Sequence, residues 1–103
     1  MMHSFSSRVT VAPDVLFRLV GEEAVLLNLK TELYFGLDVI GTRMWALLTD
    51  MPSIQAVYDT LLQEYEVEPA QLRQDLDGFV GKLLEQGLIR IGPGVLATAG
   101  ESK

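Results

Sequence analysis

The feature that most constrains this chain is a change of hydrophobic period at Asp38. Before it apolar residues alternate, and after it they recur every three to four positions, so strands must precede helices. On the strand side, Val15–Val20 (VLFRLV) and residues 24–30 (AVLLNLK) flank the turn Gly21-Glu22-Glu23, which is a hairpin signal. In the second segment Val25, Leu27 and Leu29 share one face. Leu26, Asn28 and Lys30 share the other, which grows more polar toward its end. Lys30-Thr31-Glu32 turns the chain again, and Leu33–Leu37 (LYFGL) makes a short third strand with Leu33, Phe35 and Leu37 on one face. An antiparallel meander follows, with its last strand at an edge.

On the helix side, Ile40, Met44, Leu47 and Leu48 fit one short helix. Gly41 inside it costs about 1 kcal/mol relative to Ala, which predicts a close contact there. Ser53 is an N-cap for a second helix with the stripe Ile54, Val57, Tyr58, Leu61, Leu62 and Tyr65. Glu66-Val67-Glu68 ends it. Pro69 opens a third, with the stripe Leu72, Leu76, Phe79, Val80, Leu83 and Leu84, and Gly87 stops it. Residues 88–91 (LIRI) read as a fourth short strand, which Gly92-Pro93-Gly94 turns back toward Val95-Leu96. Residues 1–14 read as a flexible lead-in, 15–91 as the domain and 92–103 as a tail. Each helix has one narrow apolar stripe, so the expected fold class is α+β. The order is β-β-β-α-α-α: a three-stranded antiparallel sheet packed on three helices, winged-helix-like, with a short C-terminal wing.

The 103 residues suit a single core, and 49% hydrophobic content is wrong for disorder. Eight cations against 14 acids, a net charge of −6, oppose a partner held mainly through phosphates, so nucleic acid is disfavoured. Cysteine is absent, which removes disulfides, thiolate metal sites and thiol nucleophiles. No apolar run approaches the ~18 residues of a membrane span, and Met1 to Arg8 leads into no signal-peptide core. The expected location is the cytoplasm, away from membranes.

Catalytic constellations are missing. His3 lies in the lead-in without a second ligand type beside it, and Ser4, Ser6 and Ser7 lack the rigid scaffold and oxyanion site that hydrolysis needs. Asp75 and Asp77 point to different faces of a helix, and Glu64, Glu66 and Glu68 have no constrained cation-binding loop, so both groups read as solvated charge. Gly92-x-Gly94-x-x-Ala97 formally matches a dinucleotide fingerprint, but too little chain follows for the helix and second strand. Trp45, Tyr58, Tyr65 and Phe79 read as packing. Tyr34, on an edge strand and opposite in direction to Leu33 and Phe35, does not. No metal, cofactor or catalytic residue is expected, and the chain is read as a binding protein and not as an enzyme.

The stretch VLLNLKTELYFGLDVIGTRMWALL (25–48), two amphipathic helices and GLIRI (87–91) resemble the PqqD family, small winged-helix domains that recognise precursors of ribosomally made, modified peptides. The likeness rests on the apolar strand pair, Tyr34-Phe35, Gly41-x-x-x-Trp45, Leu76-x-x-Phe79-x-x-x-Leu83 and Gly87-Leu88. In such domains a leader peptide adds as a strand to the third strand and lies against the third helix. The resemblance thus implies Leu33, Tyr34, Phe35 and Gly36 as the edge, and Leu72, Asp75, Leu76 and Phe79 as helix-side contacts. Gly36 admits either close approach of a peptide or a bulge. The segment NLKTELYF departs from the PqqD proteins of quinone cofactor synthesis and looks closer to stand-alone members beside lasso-peptide proteases.

The expected function is non-catalytic leader binding that presents a precursor to a maturation enzyme, either a leader protease or a radical SAM enzyme. Two other readings stand beside it. Helix 53–65, helix 69–86 and the Gly-Pro-Gly turn have the order of a winged-helix DNA-binding regulator, against which the charge argues. An exposed edge also suits a dimeric adaptor that pairs with itself, so the chain is expected to be a monomer or an edge-mediated homodimer.

Overall fold

The computed structural model describes residues 4–93. In order they form β1 (Arg8–Val11), β2 (Val15–Val20), β3 (Glu23–Asn28), β4 (Leu33–Leu37), α1 (Val39–Leu48), α2 (Ile54–Glu64), α3 (Pro69–Glu85) and β5 (Ile89–Gly92). β2, β3 and β4 make the expected meander in the order β2-β3-β4, with Val15 opposite Asn28 and Ala24 opposite Leu37. α1 packs directly on it, and α2 and α3 share one continuous core with it, as an α+β domain requires. The register runs without interruption past Gly36, which lies opposite Val25, so this glycine marks no bulge.

Strand parity settles which face of the sheet is covered. Ala24, Leu26 and Asn28 of β3 are buried toward the helices, in one row with Phe17 and Phe35. The opposite face, with Leu16, Val20 and Tyr34, is exposed although largely apolar. Under the sheet, Leu26, Leu48, Ile54, Val57, Leu61, Leu76, Val80, Leu83 and Leu88 are the fully buried side chains of one continuous core. Trp45 stacks on Phe17, 6.3 Å between centroids at 8°, and so joins α1 to the edge strand β2.

The helix ends follow from local chemistry. Asp38 Oδ1 accepts from Gly41 N at 2.7 Å and caps α1, while a Cβ on Gly41 would sit 3.2 Å from that same oxygen. The close contact expected at Gly41 is thus its own cap. Ser53 Oγ accepts from Ala56 N at the start of α2. Glu68 Oε1 accepts from Gln71 N at the start of α3, with Pro69 in the first turn. Gly87, at φ 71°, ends α3: Leu88 N donates to Leu83 O at 2.9 Å and Gly87 N to Leu84 O at 3.0 Å, the paired bonds of a Schellman stop. On the surface, Arg43 Nε donates to Glu64 Oε1 at 3.0 Å. That bond raises the Arg43 pKa and lowers that of Glu64. Its small contribution is therefore present above the usual carboxylate range and lost as pH falls through it.

The lead-in is where the structure corrects the sequence reading. Within 1–14, Arg8–Val11 is a strand paired antiparallel with β5, Val9 opposite Ile91, in a second, two-stranded sheet. Phe5 is buried between α2 and α3. Its ring lies edge-on to Tyr58 at 5.8 Å, with the Arg73 guanidinium 4.1 Å from its centroid. Phe5 O and Ser7 O accept from Gln55 N and Ile54 N, so this segment satisfies two of the orphan donors of α2. The pairing of β1 with a strand some eighty residues later leaves no local pattern to read. His3 and Val95-Leu96 lie outside the described residues.

One buried polar side chain sets the sheet against α3. Asn28 Nδ2 donates to Gln86 O at 3.1 Å, and Asn28 Oδ1 accepts from Lys30 N at 2.9 Å and Thr31 N at 3.3 Å. It joins the β3–β4 turn to the end of α3. Asn28→Ala leaves those groups without their partner and is expected to destabilise the fold by about 2 kcal/mol, measured by urea unfolding.

Candidate functional site

β4 has β3 on one side and, among the described residues, no strand on the other. Its free edge faces α3 across an open groove of about 510 Å³, whose far end is closed by the start of α1. Phe35, Gly36 and Leu37 come from β4, Asp38, Ile40, Gly41 and Met44 from the entry to α1, and Gln74, Asp75, Gly78, Phe79 and Lys82 from α3. Phe35, Leu37, Ile40, Met44 and Phe79 give the lining its apolar part. Charge sits on the walls, with Asp75 and Lys82 on α3 and Asp38 across from them. Gln71 Nε2 donates to Asp75 Oδ1 at 2.8 Å and holds that carboxylate in place.

The residues singled out from the sequence divide into three groups. Phe35, Gly36, Asp75 and Phe79 line the groove together. Leu33 and Tyr34 stand on the same edge strand but are exposed beyond the groove, Tyr34 at 74%. Leu72 and Leu76 are core residues, 5% and 0% exposed, beneath the groove and not in it. Ile40, Met44, Gly78 and Lys82 line the groove without having been singled out. Ile40 counts toward the buried stripe of α1 by spacing alone. In the structure it is 43% exposed, because it sits in the first turn, beyond the end of the sheet. The signal for Gly78 was a glycine inside a long helix.

The arrangement offers binding chemistry: a strand edge to which no strand is paired among the described residues, a partly apolar trough, and charges of both signs in its lining. Among the described residues, no group of three or more His, Cys, Asp or Glu side chains is placed to hold a metal ion. No described helix is long and apolar enough to cross a membrane.

Comparison with known proteins decides the family. The model of the family described as Coenzyme PQQ synthesis protein D (PqqD) matches residues 23–89, well over half of the chain. The chain belongs to the PqqD family. The match runs from β3 to the start of β5 and so takes in β4 and α3, the two walls of the groove. Two solved structures extend the likeness beyond it. One is TbiB1 in complex with the TbiA(beta) leader peptide: 29% identity over 89% of this chain and 99% of that one, with a TM-score of 0.71. The other is a lasso peptide synthetase B1 complexed with the leader peptide: 25% identity over 81% of this chain and 98% of that one, with a TM-score of 0.74. No curated protein sequence matches significantly.

Proposed function

We propose that this PqqD-family chain is a non-catalytic recognition domain for the leader segment of a ribosomally made precursor peptide. The leader adds as a further strand to β4, lies against α3, and is thereby presented to a separate maturation enzyme. The observation that carries the reading is the open β4 edge beside an apolar groove, in a chain similar to two proteins solved with leader peptides. The edge supplies backbone hydrogen bonds and the groove selects alternate side chains of the incoming strand. One of the two similar structures is a lasso peptide synthetase B1, which favours a leader protease of the lasso-peptide type over a radical SAM enzyme as the enzyme served.

The DNA-binding reading loses further ground. α3 carries only two cations, and of these Arg73 is engaged with the rings of Phe5 and Tyr58 while Lys82 lines the groove. Titrating the isotope-labelled chain with the leader segment of the precursor encoded beside its gene tests the proposal. Amide shifts are expected in residues 32–37 and 70–84. Binding that leaves both segments unshifted contradicts it.

A further inference from the structure

Gly78 is a glycine with no structural reason to be one. It lies in the interior of α3, a 17-residue helix, where glycine is less favourable than any residue but proline. Three other described glycines have local explanations: Gly41 is pressed against Asp38 Oδ1, and Gly21 and Gly87 need their positive φ. Gly36 is open like Gly78, but it lies on the strand edge of the groove and not inside a helix. At Gly78 an added Cβ would meet nothing within 4 Å, and no left-handed backbone excludes a side chain. Packing within the chain therefore gives alanine the advantage.

The empty space beside Gly78 belongs to the groove. Gln74 and Asp75 lie one turn before it and Lys82 one turn after, on the same side of α3, and all of them line the trough. Long side chains thus flank a position that has none, which makes a notch in the helix wall. Across the trough stand Phe35, Ile40 and Met44, all apolar.

We infer that Gly78 sets the size specificity of the groove, by leaving a notch that takes one large apolar side chain of the peptide strand added at β4. This rests on the leader-binding reading and adds to it the position where peptide and α3 come closest. The helix gives up stability at this position, and the space so left is filled only when a peptide is bound. Glycine there is expected to limit both how deep and how large the entering side chain is.

The test uses the full chain, Gly78→Ala and Gly78→Leu, with a displayed library of short random apolar-rich peptides as the probe. Wild type is expected to enrich peptides that shift amides of β4 and α3 and carry a large apolar residue at one position. Gly78→Ala is expected to raise Tm by about 4 °C. Against the peptides selected by wild type, Gly78→Leu is expected to bind about tenfold weaker or worse. Selection on Gly78→Leu itself is expected to return a smaller residue at that position, which a merely structural role would not produce. Groove-binding peptides whose affinity changes less than twofold in Gly78→Leu overturn the notch and leave leader binding intact. So does a Tm that falls in Gly78→Ala, since glycine would then be needed by the fold. If wild type enriches no peptide that maps to β4, the leader-binding reading falls, and the notch with it.

Discussion

Ile40→Glu is expected to weaken leader binding by at least about tenfold while leaving the fold as stable as before. Ile40 contributes an exposed apolar side chain to the side of the groove opposite α3. Withdrawing such a contact and placing a carboxylate in its stead forfeits roughly 1.5–3 kcal/mol of apolar burial on binding, before desolvation of the new charge is counted. Stability is spared because Ile40 is in the first turn of α1, where a negative charge meets the positive end of the helix. Isothermal titration of the leader and a thermal melt of the free chain separate the two effects. Unchanged affinity would mean that the peptide does not use this side of the groove.

The second large effect concerns a residue on the other side of the same wall. Leu76→Ala removes a fully buried side chain from the center of α3 and is expected to cost about 2–5 kcal/mol, a large part of the 5–15 kcal/mol that typically holds a domain together. Urea unfolding reads it as a lower midpoint. Leader binding by the remaining folded fraction is expected to be little changed, because Leu76 lies beneath the groove and not in it. A loss of affinity with full stability would instead put Leu76 in contact with the peptide.

These two variants show where sequence reading stops. The change of period at Asp38 is local, so the meander, the three helices and the helix boundaries at Ser53, Pro69 and Gly87 were legible from neighbouring residues. What was not legible depends on distant partners. β1 was hidden because only β5 completes it, and Phe5 because its pocket is made by α2 and α3. Asn28 looked like the polar end of a strand until its link to Gln86 showed it buried at the junction of sheet and helix.

The groove was half legible for a related reason. Periodicity identifies the apolar stripe of α3, but Leu72 and Leu76 occupy its middle, while Asp75, Gly78, Phe79 and Lys82 form the border that faces β4. A stripe has two borders, and only the position of the sheet tells which one looks into the trough. Ile40 was assigned to the core for the converse reason: its spacing fits the stripe, but the sheet ends before it.

The central claim is that a peptide becomes the next strand beyond β4, and hydrogen exchange measures this most directly. An added strand must take up the backbone donors that β4 now turns outward. With saturating leader peptide, outward amides among residues 33–37 are expected to exchange at least about tenfold more slowly, while β2, the opposite edge, stays as it was. Leader binding that leaves every amide of β4 exchanging at its free rate would contradict the account.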